Sequence, residues 1–274
     1  MKILDLDTLN DIRQTGMRKL LPGIPRIGVG MGTCGIGNGA ADVMAALKDK
    51  LEERGVQAMV VPVGCFGFCA AEPLVNVHVP HQPLVILSGV TVDDVDTIVD
   101  AVKSGEPPSV KRMCKIESWD HLTAHIRYGE GLPDVPHWNE VPFFKGQKKV
   151  VLRHSGLINP EDIEEYIAVG GYQALHQARQ VPDPSAIIEE IKRAKLRGRG
   201  GAGYPTGVKW DLLRKTKADH KTMICNADEG DPGAYMNRNE IESDPLSLLE
   251  GMLIAAFAIE ATKGFIYVRA EYPI

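Results

Sequence analysis

The sequence predicts an α/β fold made of two domains that are joined by a proline-rich connector. The 274 residues are enough for two ordinary domains. Short runs of β-branched residues alternate with stretches of helical apolar periodicity. Between residues 106 and 147 this alternation gives way to a segment rich in proline. We therefore expect domains at residues 1–105 and 148–274, with an extended connector at 106–147 that lies over a neighbouring domain.

The first domain has the element order of a thioredoxin-like fold. An amphipathic helix is expected at residues 1–20. The following elements are a strand at 24–29, a helix at 41–54, a strand at 56–63, a hairpin of two short strands at 74–79 and 84–87, and a helix at 92–103. This βαβ-ββα order is typical of a thioredoxin-like domain of about 100 residues.

The second domain alternates in a similar way around a glycine-rich loop. The expected elements are a strand at 150–152, helices at 160–169 and 185–196, a glycine loop at 197–207, a strand at 223–226, a helix at 246–261 and a strand at 265–268. A domain rarely stops directly after a strand, so we expect the sequence to continue beyond Ile274.

The composition excludes several classes of function. The chain is 44% hydrophobic and 24% charged, and its formal net charge is -5. These values are typical of a soluble globular protein and argue against nucleic acid or an anionic membrane as a partner. No apolar run reaches the roughly 18 residues of a membrane span. Because the N-terminus lacks an apolar signal region, we expect a cytoplasmic protein.

The glycine loop has the chemistry of an anion-binding site. Its residues formally fit the pattern G-x-G-x-x-G, but residues 187–194 before it are helical in period, whereas a dinucleotide fingerprint follows a strand. The glycines allow backbone amides to approach a phosphate, and the helix expected near Gly207 offers its positive end. Arg199 and Lys209 add charge. The alternative is a turn packed tightly between helices. The candidate glycines are Gly198, Gly200, Gly201 and Gly203.

Polar side chains gather at the carboxyl end of the strand predicted at 223–226. These are Asn226, Asp228, Glu229 and Asp231. Open α/β sheets bind their ligands at this end of their strands. Carboxylates repel phosphate, so they suit hydroxyl groups of a ribityl chain or a ribose, or the edge of a flavin ring. The alternative is a solvated acidic turn that caps the next helix.

Two long motifs carry a resemblance to a known family. They are Leu196–Trp210 (LRGRGGAGYPTGVKW) and Cys225–Gly233 (CNADEGDPG), and Tyr166–Tyr172 adds support. Together they resemble the NuoF-like flavoprotein subunit of NADH dehydrogenases. The same module occurs in soluble NAD(P)-linked hydrogenases and formate dehydrogenases. The resemblance covers roughly residues 145–274.

The resemblance implies an FMN-dependent NAD(P)H dehydrogenase subunit of a multisubunit redox complex. Hydride would pass from NAD(P)H to FMN, and single electrons would pass on to iron–sulfur clusters. No side chain is expected to act as a catalytic acid or base, because the cofactor does the chemistry. A [4Fe–4S] motif is expected beyond Ile274. The implied partners are a ferredoxin-like subunit and a hydrogenase, formate dehydrogenase or similar catalytic subunit.

The resemblance also assigns roles to the candidate site residues. Tyr204 would stack on the adenine of NADH, and Asp231 would sit beside the bound nicotinamide nucleotide. Asn226, Asp228 and Glu229 would hold the flavin and its surroundings. The residues expected around the FMN phosphate and ribityl chain are Gly198, Arg199, Gly200, Gly201, Gly203 and Lys209.

Three of the five cysteines cluster in a pattern that suggests metal or redox chemistry. Cys34, Cys65 and Cys69 resemble ligands of the thioredoxin-like [2Fe–2S] domain that is fused to the flavoprotein in soluble complexes. Val29 stands where a further cysteine is expected, and a [2Fe–2S] cluster takes four ligands. Two hypotheses stay open: a cluster with another fourth ligand, or a cluster-free domain, which we favour with Val29 in the core.

The remaining cysteines and the histidines give no metal-site pattern. Cys114 lies in the connector and is a poor fourth ligand, whereas Cys225 is expected to be a buried apolar residue. His78 and His81 are expected at the surface.

Two rival functions belong to other classes. One is an electron-transfer or docking subunit without its own nucleotide chemistry, and the other is a structural adaptor that binds no chromophore.

Overall fold

The computed structural model describes residues 5–231, 233–270 and 272. These residues divide into two units. The first unit runs to Gly170 and also includes Tyr235–Pro245, and the second contains Gly171–Ala234 and Leu246–Tyr272. The first unit therefore extends past the predicted boundary at residue 148. Whether residues 1–105 and 148–274 act as separate functional modules stays a prediction.

A five-stranded sheet of order β2-β1-β3-β4-β5 lies at the centre of the first unit. Its strands are β1 (Arg26–Gly30), β2 (Met59–Val63), β3 (Val75–His78), β4 (Leu84–Leu87) and β5 (Arg112–Ile116). β1 runs parallel to β2, with Arg26 opposite Met59, and antiparallel to β3, with Arg26 opposite His78. β3 and β4 form the expected antiparallel hairpin.

The described residues of this unit also form several helices. They are α1 (Leu6–Leu20), α2 (Thr33–Gly37), α3 (Ala40–Glu53), α4 (Val95–Lys103), α5 (Ile163–Ala168) and α9 (Met236–Ser243), with single 3-10 turns at Cys69–Ala71, Val92–Asp94 and Trp138–Glu140. The apolar faces of α3 and α4 form one core with β1, β3 and β4. Elements β1 to α4 have the βαβ-ββα order, so the α/β class and the thioredoxin-like domain are confirmed.

The connector contains more regular structure than its prolines indicate. β5 pairs with β4 as the fifth strand of the sheet. Its residues Cys114 and Ile116 are fully buried. β6 (Ser118–Asp120) and β7 (His125–Arg127) form a separate hairpin. The expectation of an extended segment was therefore wrong for these residues. The strand expected at 150–152 is absent as well, since Val150 and Val151 lie exposed in turns.

The described residues of the second unit form four helices and a two-stranded parallel sheet. These elements are α6 (Gln173–Ala178), α7 (Ser185–Arg193), α8 (Thr206–Lys215), β8 (Thr222–Ala227), α10 (Pro245–Ile259) and β9 (Lys263–Val268). Its core joins Ile187 and Ile188 of α7 to Ala258 of α10. Glu250 of α10 accepts hydrogen bonds from the backbone amides of Tyr172 (2.7 Å) and Leu175 (3.0 Å) and so satisfies the start of α6.

Among the helices of the described residues, none combines the length and the apolar character that a membrane crossing requires. Ile3 of the helix expected at the N-terminus lies outside the described residues.

Candidate functional site

The glycine loop is a closed, exposed projection of the second unit. Arg197 and Pro205 pair as an antiparallel bridge, and the Gly198 amide donates to the Tyr204 carbonyl at 2.9 Å. Between these ends, Gly201 (φ +96°) and Gly203 (φ +62°) adopt left-handed backbone conformations that favour glycine. The backbone of the loop is therefore fixed at its base and open to solvent at its tip.

Two of the loop glycines have no reason within the protein to lack a side chain. A Cβ built on Gly200 meets nothing within 4 Å, and one on Gly198 comes no nearer than 3.6 Å to the Tyr204 carbonyl oxygen. Neither residue has a left-handed φ. Gly207 is different. A Cβ built on it would lie 2.8 Å from the backbone nitrogen of Lys192, at the place where α7 and α8 pack together. The packed-turn alternative therefore explains Gly207 but not the loop tip.

The loop leads directly into the N-terminus of α8. That helix begins at Thr206. Its N-cap residue is Pro205, which provides no side-chain hydrogen bond to the helix. Helix N-termini carry unpaired amides and a partial positive charge, which favour an anion. Arg199, Tyr204 and Lys209 are all exposed around this helix start. The structure thus places the predicted charges and the predicted aromatic on the solvent-facing side of the loop.

The acidic turn follows β8 as predicted. The Asp228 amide donates to Asn226 Oδ1 at 3.0 Å, which is an Asx turn. Glu229 is buried, and its Oε2 accepts from the Tyr272 hydroxyl at 2.8 Å. Its backbone carbonyl accepts from the Arg269 guanidinium. Asn226, Asp228 and Asp231 are exposed. Glu229 is therefore held by the protein, whereas Asn226, Asp228 and Asp231 are accessible to a ligand from solvent.

β8 and β9 align the acidic turn with a second strand end. The two strands are parallel, and Ala227 pairs with Val268. Both carboxyl ends therefore lie at one edge, and Arg269 follows β9 there. Sequence reasoning missed Arg269 and Tyr272, because no motif links them to a turn about forty positions earlier.

The three predicted cysteines converge in the first unit. Cys65 and Cys69 lie with their Sγ atoms 3.8 Å apart, and the Cys34 thiol lies near Cys69. Arg238 of α9 donates to Cys34 Sγ at 3.0 Å. Cys65 is 4% exposed, whereas Cys34 and Cys69 are partly exposed. We call these three residues the thiol cluster.

Neighbouring groups set the ionisation of the thiol cluster. Contact with the Cys65 thiol, then with the Cys34 thiol and the Arg238 charge, lowers the pKa of Cys69. Contact with Cys69 and burial raise the pKa of Cys65, and burial raises that of Cys34. Burial also raises the pKa of the nearby Glu72 carboxyl to about 7.

Helix α9 completes the surroundings of Cys34. Glu242 accepts hydrogen bonds from the Thr33 amide (2.9 Å) and from the Thr33 hydroxyl, and so caps α2. Ser243 packs against Gly64. A Cβ atom built on Gly64 would lie only 2.1 Å from the Ser243 Oγ, so a side chain does not fit there. Arg238, Glu242 and Ser243 were missed by sequence reasoning, because their partners lie about 200 positions earlier in the chain.

The residues present do not fit a [2Fe–2S] cluster. Four ligands are needed, and Val29 is fully buried in the main core, as predicted. Within residues 5–231, 233–270 and 272, no group of three or more histidine, cysteine or acidic side chains has the geometry to hold a metal ion. The guanidinium of Arg238 also places a positive charge against Cys34.

Three further expectations from the sequence can be compared with the structure. Cys114 is fully buried in β5, and burial raises the pKa of its thiol to about 12. Cys225 is only half-buried, so the expectation of a buried residue was wrong. His78 was expected at the surface but is 4% exposed, because β3 lies inside the sheet, while His81 is exposed as predicted.

The fold and the glycine loop together define an α/β protein with a thioredoxin-like domain and a second unit that carries a glycine-rich loop before a helix. Residues 191–274 match the family model of the Nuo51 FMN-binding domain. This match confirms the resemblance to NADH dehydrogenase flavoprotein subunits for that part of the chain.

Curated relatives show the same similarity. Over 130 residues, the chain is 48% identical to the NADP-reducing hydrogenase subunit HndC of Solidesulfovibrio fructosivorans. This matched region covers 47% of this chain and 26% of that protein. Over 123 residues it is 43% identical to an NADH-quinone oxidoreductase subunit of Rhizobium meliloti (strain 1021), covering 45% and 29%. The matched region therefore spans less than a third of either relative.

A solved structure is similar to about a third of the chain. It is a thioredoxin-like [2Fe–2S] ferredoxin from Aquifex aeolicus, with 23% sequence identity and a TM-score of 0.30. The match covers 34% of this chain and 92% of that one.

Proposed function

We propose that this chain is part of an FMN-dependent, NAD(P)H-oxidising subunit of a multisubunit redox complex. The observation that carries the proposal is the tip of the glycine loop, where Gly200 has neither a packing nor a conformational reason to be glycine. A ligand that contacts the backbone there supplies the reason. The match of residues 191–274 to the Nuo51 FMN-binding domain supports FMN as that ligand.

The residues present fit an FMN phosphate and its ribityl chain. Arg199 and Lys209 offer two exposed cations beside the loop, and the open start of α8 offers unpaired amides. The loop backbone at Gly198, Gly200, Gly201 and Gly203 would approach the phosphate closely, because no side chain stands in the way.

The acidic turn suits the uncharged parts of the ligands. Asn226 and Asp228 would accept hydrogen bonds from hydroxyl or ring N–H groups, and Glu229 would hold the turn in place from inside the unit. Tyr204, half-exposed at the end of the loop, would stack on the adenine of NAD(P)H. Asp231 would lie beside the nicotinamide nucleotide. The protein contributes binding and orientation, while bound FMN supplies two-electron acceptance and one-electron release.

The wider assembly is part of the same proposal. HndC is by name a hydrogenase subunit, and the Rhizobium meliloti relative is by name part of an NADH-quinone oxidoreductase. By analogy we expect a cytoplasmic complex with a ferredoxin-like subunit and a hydrogenase, formate dehydrogenase or similar catalytic subunit. A [4Fe–4S] cluster would accept the electrons in the complete protein, and neither nucleic acid nor membrane insertion is expected.

Replacement of Arg199 by alanine tests the proposal. A hydrogen bond to a charged group contributes about 1.5–3 kcal/mol, so Arg199→Ala should weaken FMN binding about ten- to a hundredfold. The measurement is the FMN dissociation constant of the chain in its assembled complex, taken from flavin fluorescence.

Lys217→Ala is the matched control, since Lys217 is also an exposed cation of the second unit but lies after α8. It should leave the dissociation constant unchanged. Equal FMN affinity in the wild type and Arg199→Ala contradicts the assigned role of Arg199. If the wild-type complex binds no flavin at all, the docking or adaptor hypothesis replaces this one.

A further inference from the structure

The thiol cluster has the composition of a reactive site rather than of a packing contact. Buried structural cysteines are isolated in apolar surroundings, as Cys114 is in β5. Cys65 and Cys69 instead lie in contact with each other near the Glu72 carboxyl, and Cys34 lies near Cys69 in contact with a guanidinium. Because the cluster lacks the four ligands of a [2Fe–2S] centre, its three thiols need another chemical account.

The backbone between Cys65 and Cys69 folds the two thiols towards each other. Gly67 turns the chain with a left-handed φ of +98°, and its amide donates to Cys65 Sγ at 3.3 Å. Their Sγ atoms are 3.8 Å apart. A disulfide bond is about 2.05 Å long, so the sulfurs need to approach by less than about 2 Å.

Aromatic residues of the connector hold this turn in place. Phe66 packs edge-on against Phe144, with ring centroids 5.1 Å apart, and Phe68 stacks on Phe143 at 3.9 Å. Lys149 lies 4.0 Å above the Phe66 ring and donates to its backbone carbonyl. The two thiols are therefore held near each other in advance, which reduces the entropy lost when a bond between them forms.

Exposure assigns different roles to the two thiols. Cys69 is partly exposed at the start of its 3-10 turn, so a molecule from solvent can reach it. Cys65 is 4% exposed and lies behind Cys69. This is the arrangement of an attacking thiol with a resolving thiol behind it.

We propose that Cys69 and Cys65 form a redox-active dithiol that exchanges with small disulfide molecules. The proposal goes beyond the flavin function and does not depend on it. Cys34, which is held by Arg238, stays reduced during the exchange.

The exchange balances in two steps. The Cys69 thiolate attacks one sulfur of a disulfide R–S–S–R, a bond forms between Cys69 and that sulfur, and the other R–S⁻ leaves with the proton that Cys69 released. The Cys65 thiolate then attacks Cys69 Sγ, and the second R–S⁻ leaves with the proton of Cys65. Two cysteine thiols lose two electrons in total, and one disulfide is reduced to two thiols.

The test treats the reduced, purified chain with glutathione disulfide in the absence of oxygen. Peptide mapping by mass spectrometry should find a single new disulfide between Cys65 and Cys69, with Cys34, Cys114 and Cys225 still free. In Cys65→Ser, one glutathione should remain attached to Cys69, because the resolving thiol is gone. Cys69→Ser should lose both the disulfide and the adduct.

Cys225→Ser is the control, because Cys225 lies outside the thiol cluster, and it should form the Cys65–Cys69 disulfide as the wild type does. Circular dichroism verifies that each variant is folded, and the wild-type peptide map decides the question even if a variant is not. The proposal is overturned if all five thiols of the wild type stay free, or if the bond joins Cys34 to Cys69. Iron and sulfide retained by these three thiols after purification would overturn it as well.

Discussion

The five-stranded sheet of the first unit and the β8-β9 sheet of the second differ most in what covers them. The residues of β1, β3 and β4 in the first unit are all buried. All six residues of β9 in the second unit are exposed, including Phe265 and Tyr267, at 60% and 61%. Parallel strands are normally buried on both faces. The same kind of apolar residue therefore contributes to stability in one sheet and remains available for contact in the other.

The difference teaches that apolar content does not by itself identify a core. Val77 and Ile27 are each fully buried. Ile224 on β8 is 60% exposed, although it is an apolar strand residue of the same kind as Val77 and Ile27. An exposed apolar patch on this scale is typical of surfaces that meet another part of a protein or a partner.

The largest difference between the two units should come from a buried ion pair. Arg26 of β1 donates to both carboxylate oxygens of Glu165, at 3.1 and 2.9 Å, and these side chains are 3% and 1% exposed. Glu165→Gln leaves the guanidinium buried without its counter-charge. Removing one partner of a buried pair costs about 3–5 kcal/mol of unfolding free energy.

Urea unfolding followed by far-UV circular dichroism, which reports on the helices and strands of both units, measures this loss. The matched change in the second unit is Lys215→Gln, which breaks the exposed pair with Asp211 (2.7 Å). It should cause no measurable change. A similar loss in both variants would remove the energetic distinction between the units.

A smaller but sharper test compares one apolar residue from each sheet. Ile27→Ala should lower the unfolding free energy of the first unit by about 2–5 kcal/mol, because it opens a cavity in the core. Phe265→Ala should change stability by no more than about 0.5 kcal/mol, since the ring is mostly exposed. Thermal and urea unfolding of both variants measure this. A loss above about 2 kcal/mol for Phe265→Ala would mean that β9 is covered in solution.

The smallest expected effect concerns acid sensitivity in the first unit. His121 is fully buried, neither of its ring nitrogens has a hydrogen-bond partner among the described residues, and burial lowers its pKa to about 2. The unfolded chain binds a proton there below a pH of about 6.5. The stability from neutral His121 is therefore present above that pH and is lost as the pH falls.

His121→Leu removes the ionisable group and with it this pH-dependent contribution to the unfolding free energy. Between pH 7 and pH 5 the wild type should lose about 2 kcal/mol more unfolding free energy than the variant does. Glu240 acts in the opposite direction, because burial raises its pKa to about 8 and the folded state keeps the proton. For this reason the difference between the two proteins, rather than the wild-type slope, is the quantity to measure. Equal acid losses would contradict the argument.

The sequence predicted the elements of the first unit where periodicity was strong. Helix α3 and strands β1 to β4 lie within a few residues of their expected positions, because each carries a clear apolar pattern. β5 was missed since prolines surround it, and its partner β4 became evident only in three dimensions. The glycine loop and the acidic turn were both found, because their residue types have a local physical meaning.

Side chains that act over long distances in the chain could not be predicted in the same way. Arg238 and Glu242 carry no local pattern that points to Cys34 and Thr33. The burial of His78 was also missed, because a single polar residue in a short strand does not reveal whether a further strand covers it. The roles of the individual FMN and NAD(P)H residues stay predictions.

Helix α9 has a consequence for how this protein can be divided or exchanged. It follows the acidic turn of the second unit in the chain, yet its residues belong to the first unit. No single cut of the polypeptide therefore separates the two units. A fragment that ends at Gly170 would leave Cys34, Thr33 and Gly64 without Arg238, Glu242 and Ser243. A recombination event that transferred the second unit as one contiguous stretch would also transfer α9 and so remove part of the surroundings of the thiol cluster. The two units are therefore expected to be inherited together.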